Sequence, residues 1–335
     1  MRNRFATAIC AATALAALVV QTAATAALTA ATASTQTITP SNLSRGAAPR
    51  ADFLGGRVLH SSTGVTRRLP STWRPGRLQL VGRVGSAWYV QRWDAQHYRG
   101  WLYRATTSSL KRIGSGSNAG SGELGWYLTS DKRAIVHYET DGYGGCTLQL
   151  LDLTGQVRAH HGCGYDGNYI GATSAQVWYT PFGTTPTQRW TVGGTAIGIG
   201  VKGVLADPVH DVLFLRPTSS GPGGPTSLSA PGTPAWTAAF RAVAVSPDGT
   251  YVAGLASGTV QIRRMRDGTV VRRFAVGTTS GLTWETDTRV LIAMAGTKDW
   301  IVRCSLAGSC NLAAGPARTR YTFAQVPHWH TESMN

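Results

Sequence analysis

Residues 241–275 read RAVAV-SPDG-TYVAGLA-SG-TVQIRRM-RDG-TVVRRFA. Four stretches rich in strand-forming residues alternate with three short connections, and Ser, Pro, Asp and Gly in those connections favour tight turns. We label the four stretches strands A to D in chain order. A unit of four short antiparallel strands, repeated about every 40 residues, is typical of the blade of a β-propeller.

The turn between strands A and B recurs along the chain. Each further copy is a short polar segment between two apolar stretches, and the copies lie at residues 84–86, 129–131, 173–175, 206–208 and 285–287. Their spacing is again roughly 40 residues, as expected for successive blades. Together with the unit at 241–275, these copies predict six blades inside the chain.

The two chain ends supply a seventh blade. Residues 51–69 (ADFLGGRVLHSSTGVTRRL) have the pattern of strands B, C and D without a strand A, and residues 320–326 (RYTFAQV) have that of a lone strand A. Joining them would close the ring and leave no unpaired sheet edge. We therefore predict an all-β fold over residues 51–330: a single propeller of seven four-stranded blades, closed by the N- and C-terminal strands and followed by a tail at 331–335.

A family resemblance supports this architecture. The stretch SPDGTYVAGLASGTVQIRRMRDGTVVRRF, residues 246–274, resembles blades of the WD40-like and TolB-like propellers of bacterial envelopes, although it lacks the Trp-Asp dipeptide that ends strand C in WD40 repeats. The resemblance implies a toroidal scaffold that binds proteins or other ligands. It implies no catalytic residue, because the repeat motif of these families contains none.

The N-terminus has the pattern of an export signal. Arg2 and Arg4 precede an apolar run at residues 6–20, and Ala-Thr-Ala at 24–26 and 31–33 offers two cleavage sites. The run is shorter than the roughly 20 residues that span a bilayer, which favours a cleaved signal over a retained anchor. We predict a signal peptide at 1–33, a solvated Ser/Thr/Ala/Pro linker at 34–50, and a secreted or cell-envelope protein.

Four cysteines remain once Cys10 leaves with the signal. Cys146 and Cys163 lie on either side of the predicted C–D turn of blade 2, and Cys304 and Cys310 flank that of blade 6. Opposite residues of an antiparallel pair are close enough for a disulfide bond. Export also favours oxidation, so we predict the bonds Cys146–Cys163 and Cys304–Cys310. Metal ligation is the alternative, but no C-x₂-C spacing supports it.

The formal net charge is +16 and comes mostly from arginine. The excess has two interpretations, a GC-rich coding bias or an adaptation to acidic partners. An exported chain with no basic cluster and no recognition helix is not expected to bind nucleic acid. The partners we expect are an anionic envelope polymer or a protein, bound by a monomer that needs no cofactor.

The B–C and D–A connections emerge from one face of a propeller and are longer and less regular here than the other turns. Such loops commonly carry binding residues. We predict a ligand site on that face, formed by Trp73, Arg74, Asp94, His97, Tyr98, Asp141, Tyr143 and Asp166.

Catalysis is the alternative function. The acids that recur at A–B and C–D turns are best explained as turn formers. Six others have no repeat equivalent and could serve a propeller-type lyase or glycosidase: Asp94, Glu123, Glu139, Asp141, Asp166 and Asp299. No fixed spacing pairs any two of them, no G-x-S-x-G elbow is present, and His160-His161 and His328-x-His330 lack a third ligand. We therefore predict a non-catalytic binding propeller without a metal.

Overall fold

The computed structural model describes residues 33–94, 99–117, 124–140, 145–164, 167–181, 185–216 and 222–324. These residues belong to the compact unit that comprises residues 32–335. Across the described ranges there is no helix with the length and apolar character needed to cross a membrane.

In the described ranges, seven β-sheets form a seven-bladed propeller, which confirms the predicted fold class. Strand A lies innermost in each blade, and strands B, C and D follow outward. The strands of blades 1 to 3 are Leu78–Val84, Ala87–Asp94, Arg99–Ala105 and Leu110–Ser117; Leu124–Leu128, Ile135–Thr140, Cys146–Leu151 and Val157–Gly162; and Gly167–Ala172, Gln176–Pro181, Gln188–Thr191 and Ala196–Gly198. Those of blades 4 to 6 are Gly203–Asp207, Val212–Leu215 and Gly224–Ser227; Arg241–Val245, Tyr251–Ala256, Thr259–Arg264 and Val270–Ala275; and Thr279–Thr286, Arg289–Met294, Asp299–Ser305 and Cys310–Ala317.

Blade 7 is assembled from both ends of the chain. Its strand A, Tyr321–Phe323, comes from the C-terminus, and strands B to D are Phe53–Gly55, Val58–His60 and Thr66–Arg68. The antiparallel register pairs Phe53 with Phe323 and Gly55 with Tyr321. The predicted closure by terminal strands is therefore the arrangement that the structure adopts.

Blade 4 departs from the predicted four strands. Its sheet has three, and the place of strand D is taken by a single bridge between Gly223 and Ala238, with a further bond from the Ala235 N–H to the Pro225 carbonyl. Residues 217–234 are rich in Pro, Gly and Ser. Pro231 and Pro234 come just before this bridge, and proline lacks the N–H that a strand ladder needs, which disfavours a regular fourth strand.

The core lies between neighbouring blades. Each hydrophobic cluster joins residues of two or more adjacent sheets, for example Tyr138 and Leu148 of blade 2 with Tyr169 and Trp190 of blade 3. Seven aromatic residues of the strands are buried in this core: Trp88, Tyr89, Trp126, Tyr127, Trp178, Tyr179 and Trp284. Since these rings are packed inside, they do not form a stacking platform for a ligand.

The segment at 34–50 is not the solvated linker that its composition predicted. Thr35–Thr37 adds a fifth, parallel strand to the outer edge of blade 5, beside Val270–Ala275. Ile38 is buried, a 3₁₀ turn follows at Pro40–Asn42, and Arg45 forms a parallel bridge with Leu312 of blade 6. We call residues 35–50 the strap, because they cover the outer edges of two blades before blade 7 begins.

A buried ion pair holds the inner end of the strap. Arg303 of blade 6 bonds both carboxylate oxygens of Glu285, and its guanidinium also donates to the carbonyls of Ala47 at 3.0 Å and Ala48 at 2.8 Å. The Arg50 N–H donates to Glu285 at 2.6 Å. The side chains of Glu285 and Arg303 are 1% and 8% exposed. A buried ion pair stabilises the fold only if its remaining hydrogen-bonding groups also have partners. The carbonyls of Ala47 and Ala48 and the N–H of Arg50, all in the strap, are those partners.

Both predicted cysteine pairs come together in C–D hairpins, Cys304 and Cys310 beside the turn and Cys146 and Cys163 at the open end. The Cα atoms of Cys146 and Cys163 lie 5.1 Å apart, and those of Cys304 and Cys310 lie 4.2 Å apart. Cys304 and Cys310 face each other directly in the strand register, whereas Cys163 follows the last residue of strand D and donates its N–H to the Cys146 carbonyl.

The closure predicts unequal effects of two truncations. Ending the chain before Tyr321 removes the buried rings of Tyr321 and Phe323 and leaves blade 7 without strand A. We expect the melting temperature to fall by more than about 10 °C, since each lost buried aromatic costs about 3–5 kcal/mol. A chain ending at Ala324 is the control and should melt close to the full protein. Equal melting of the two truncations would contradict closure by this strand.

The strap clamp predicts a pH-dependent stability. Burial alone would raise the pKa of Glu285, but hydrogen bonds from Arg303 and the Arg50 N–H outweigh burial and hold that pKa below its ordinary value. The carboxylate therefore stabilises the fold at neutral pH, and this contribution is lost as the pH falls below about 4.5 and through the folded pKa. Glu285→Gln should cost about 3 kcal/mol at pH 7 in urea denaturation, because it leaves the buried Arg303 charge unpaired.

The difference between wild type and Glu285→Gln should be larger at pH 7 than at a pH below the folded pKa of Glu285, where both side chains are neutral. Asp287→Asn is the matched control, since Asp287 is exposed on the adjoining turn. A Glu285→Gln penalty that is the same at both pH values would contradict the role of the charge.

Peptide mapping under non-reducing conditions tests the disulfides. We expect cross-linked peptides that contain Cys146 with Cys163 and Cys304 with Cys310. Replacing either pair by serine should cost about 2–3 kcal/mol, the usual effect of a bond that closes a short loop. Cross-pairing, or free thiols in folded protein, would refute both the bonds and the blade assignment.

Candidate functional site

The two faces of the propeller differ in construction. The A–B and C–D turns lie on one side, which we call the lower face, and the B–C and D–A connections lie on the other, the upper face. On the lower face, five repeat-position aspartates accept a hydrogen bond from the backbone N–H two residues ahead: Asp131, Asp152, Asp207, Asp248 and Asp267. These bonds support the interpretation of the recurring acids as turn formers.

Positive charge gathers on the upper face. Among the described residues, the acids at upper-face strand ends and connections are Asp94, Glu139 and Asp299. The basic residues in the same positions are Arg57, Arg68, Arg74, Arg77, Arg92, Arg99, Lys202, Arg216, Arg241, Lys298, Arg318 and Arg320. The lower face, by contrast, carries its arginines among the turn aspartates. The upper face is therefore the side that attracts an anion.

A pocket opens on the upper face at the seam between blades 7 and 1. Its volume is about 250 Å³. Its walls come from the connection that leaves blade 7 and from the end of strand B of blade 1: Thr72, Arg74, Arg77, Arg92, Trp93 and Asp94. We call it the arginine pocket, because three of its six lining residues are arginines.

Aromatic rings hold the Arg92 guanidinium in place. Its central carbon lies 5.4 Å from the ring centre of Trp73 and 5.3 Å from that of Trp101. Trp73 is itself buried and packs against Tyr103 with a centroid distance of 4.5 Å. Cation–π contact orients the planar group without occupying its N–H donors, which stay available for a ligand.

The other two arginines are placed by a tight turn. Pro75–Arg77 forms a 3₁₀ helix, with Pro75 at its first position and a bond from the Arg77 N–H to the Arg74 carbonyl at 3.0 Å. The proline fixes its own φ and suits the first helical position, which stiffens the connection. Arg74 is exposed and Arg77 half-buried. In the part of the chain that the structure describes, no carboxylate forms a salt bridge with Arg74, Arg77 or Arg92.

The geometry suits a planar or tetrahedral anion. Guanidinium groups bind carboxylate and phosphate through paired N–H donors, and such charge-assisted bonds are stronger than neutral ones. Asp94 also borders the pocket and offsets part of the positive charge.

Three of the eight predicted site residues lie within the described ranges. Arg74 and Asp94 meet at the arginine pocket. Trp73 is 7% exposed, so it supports Arg92 from inside the core and does not line the pocket. His97, Tyr98, Asp141, Tyr143 and Asp166 fall outside the described residues.

Sequence reasoning missed Arg77, Arg92 and Trp101. Arg77 could have been found, since it follows Arg74 and a proline in the same short connection. Arg92 and Trp101 are adjacent only because the B–C register places them opposite each other, and Trp73 reaches them from another blade. No spacing in the sequence indicates that contact.

The acids considered for catalysis are distributed over the ring. Asp94, Glu139 and Asp299 belong to blades 1, 2 and 6, and Glu123, Asp141 and Asp166 lie outside the described residues. Asp299 accepts the Gly296 N–H at 3.1 Å, and Glu139 lies 3.8 Å from His137. Burial lowers the pKa of His137 to about 4, which leaves its imidazole neutral at pH 7. The described residues contain no group of three or more His, Cys, Asp or Glu side chains that could hold a metal ion.

Comparison with solved structures finds other propellers. The β-propeller domain of the Trilobed protease from Pyrococcus furiosus, which has an open velcro topology, has a TM-score of 0.55 at 11% identity and covers 78% of this chain and 87% of its own. The AfRom2 CNH domain has a TM-score of 0.52 at 10% identity, covering 74% and 87%. The C-terminal WD40 domain of Sif2 has a TM-score of 0.48 at 13% identity, covering 70% of each chain.

Identities this low show the fold alone. The two matches with TM-scores above 0.5 support the propeller part of the expected resemblance, while a TolB-like relationship stays a prediction. No protein-family model matches the sequence, and no curated protein matches it either.

Proposed function

We propose that this protein is an exported, monomeric, non-catalytic β-propeller that binds an anionic polymer of the cell envelope on its upper face. The arginine pocket carries the proposal. Arg74, Arg77 and Arg92 surround one opening without salt-bridge partners among the described residues, and two tryptophan rings orient Arg92. Such an arrangement pre-organises donors for phosphate or carboxylate groups along a chain.

The charge distribution adds to this support. Among the described residues, cations outnumber acids most strongly on the upper face, because the described acids lie mostly among the lower turns. A long polyanion can contact several upper-face cations at once, and each contact adds to the affinity and to the rate of encounter. An acidic protein surface offers the same charge but a fixed spacing, which makes it the alternative partner.

Export is a separate part of the proposal. It rests on the charged start and apolar run of residues 1–33 and on two cysteine pairs at bonding distance, which suit an oxidising compartment. The anionic polymers of an envelope are then the partners within reach.

Two triple variants of equal charge test the binding site. Arg74→Ala, Arg77→Ala and Arg92→Ala together remove the arginine pocket. Arg133→Ala, Arg158→Ala and Arg266→Ala remove three exposed arginines from the lower face and serve as the control. Binding of the folded protein to polyphosphate and to poly-L-glutamate is measured by titration calorimetry, with circular dichroism melting to verify folding.

We expect the pocket variant to lose at least about tenfold in affinity and the control variant to lose much less. Wild-type binding should weaken steeply between about 0.05 and 0.3 M NaCl, because salt screens exposed charges beyond about 10 Å at 0.1 M. Equal losses in the two variants would mean that net charge, not the pocket, binds the polymer. Affinity that does not change with salt would overturn an anionic partner.

A further inference from the structure

A second cleft lies on the outer rim, between blades 2 and 3. Its volume is about 480 Å³, in the range of small-ligand sites. One wall is the end of strand D of blade 2, from His161 to Gly164, and the other comes from strands B to D of blade 3. The residues that line it are His161, Gly162, Cys163, Gly164, Tyr179, Pro181, Thr185, Gln188, Gly194, Thr195 and Ala196. We call it the rim cleft.

The described residues that line the rim cleft favour an uncharged ligand. There is no Lys, Arg, Asp or Glu among these described lining residues. Burial lowers the pKa of His161 and raises that of Tyr179 to about 12, which favours the neutral form of both side chains. In a chain with a net charge of +16, a cleft without a cation is unlike the arginine pocket, and it offers nothing to attract an anion.

The cleft does offer hydrogen-bonding groups. Thr185, Gln188 and Thr195 present hydroxyl and amide groups, and each of these can donate as well as accept. The His161 Nε2 lies 3.1 Å from the Tyr179 hydroxyl, so the hydrogen bond between these two side chains uses only one of the two imidazole nitrogens. Groups that both donate and accept match the hydroxyls of a polyol, which do the same.

A ring layer supports the cleft. The imidazole of His161 stacks on Trp190 with a centroid distance of 5.3 Å and an interplanar angle of 18°. Trp190 is 1% exposed and is fixed by a bond from its indole N–H to the Gly194 carbonyl at 3.2 Å. One face of the half-buried imidazole is thus covered by Trp190, and a ligand ring can pack only on the other.

A disulfide bond holds one wall of the rim cleft, and glycines leave the backbone of that wall uncovered. Cys163 is tied to Cys146, which anchors the end of strand D to strand C. A Cβ atom added at Gly162 or Gly164 would meet open space, so the backbone itself borders the opening. A ligand can approach the peptide groups there without displacing a side chain.

We infer that the rim cleft binds an uncharged sugar residue of a glycan. A pyranose ring combines a flat apolar face, which can pack on the imidazole layer, with hydroxyls that donate and accept. This site is distinct from the arginine pocket, and the inference does not depend on the proposed polyanion binding.

A peptide is the other uncharged polymer with donors and acceptors, and the cleft suits it less. A peptide that adds to a strand edge takes its specificity from pockets that receive its alternate side chains. The lining groups are instead mostly glycine, hydroxyl and amide groups around an aromatic layer. A preference for a peptide is therefore an outcome of the test.

The experiment titrates the full folded chain with four soluble neutral tetrasaccharides (cellotetraose, maltotetraose, chitotetraose and mannotetraose) and with a blocked tetrapeptide of Gly and Ser. Binding is followed by saturation-transfer NMR and calorimetry. We expect at least one tetrasaccharide to bind, with an affinity that changes less than about twofold between 0.05 and 0.5 M NaCl, because no charge is involved.

Two variants locate the binding. His161→Ala removes the imidazole layer, and Gln188→Ala removes an amide group that lines the cleft. Each should weaken sugar binding at least about tenfold. His160→Ala, on the neighbouring exposed residue of the same strand, and Arg92→Ala, in the arginine pocket, should leave it unchanged.

Binding of none of the four tetrasaccharides would overturn the inference. So would sugar binding that survives Gln188→Ala and His161→Ala, or a preference for the blocked peptide. Loss of sugar binding in Arg92→Ala would place the sugar in the arginine pocket instead. Failure of the polyphosphate titration has no bearing on this result, since the two sites share no residue.

Discussion

Pairing of the two chain ends is the constraint on which the ring depends. Tyr321–Phe323 contributes a strand of three residues, yet its rings join Phe53 of the N-terminal part to Leu291 and Ile301 of blade 6 in one buried cluster. A propeller blade cannot bury both faces of its sheet alone, so a missing inner strand would expose the facing sides of blades 6 and 1. The strap adds to the same region, since Arg303 and Glu285 hold residues 47–50 against blade 6 just before blade 7 begins.

The rigidity of the arginine pocket depends on the closure of the ring by the two chain ends. Arg92 belongs to blade 1, whereas Trp73 lies on the connection from blade 7 and is packed with Leu54 and Leu59, which come from its strands B and C. The cation–π contact therefore spans the seam that the chain ends complete. An opened ring would separate Trp73 from Arg92 and remove the support of the guanidinium. Stability of the fold and geometry of the arginine pocket are therefore coupled through these few contacts.

The sequence predicts those features of the fold that depend on turn residues recurring in each blade. Turn residues recur at each A–B connection, so they revealed the blades, the split blade 7 and the hairpins that carry the cysteines. The strap was predicted wrongly as solvated, because its contacts are mainly backbone bonds: a parallel strand beside blade 5 and two carbonyls bonded to Arg303. Backbone bonds of this kind require no particular side chains, so they cannot be recognised from the sequence. The same limit applies to Arg92, whose partners Trp73 and Trp101 become neighbours only after two blades and a register are in place.

The electrostatic polarity of the molecule follows from how the blades are made. Tight A–B and C–D turns use aspartate to cap backbone N–H groups, so each blade built this way adds a negative charge to the lower face. Hydrogen bonds from Thr154 and Ser246 hold the pKa of Asp152 and of Asp248 below the ordinary value, which keeps those charges in place at neutral pH. The upper connections are longer and need no such cap, and the arginine-rich composition is left there with few acids among the described residues. An anion approaching from solution is therefore steered to the upper face before it meets the arginine pocket, and the polarity arises from turn chemistry and composition without any further device.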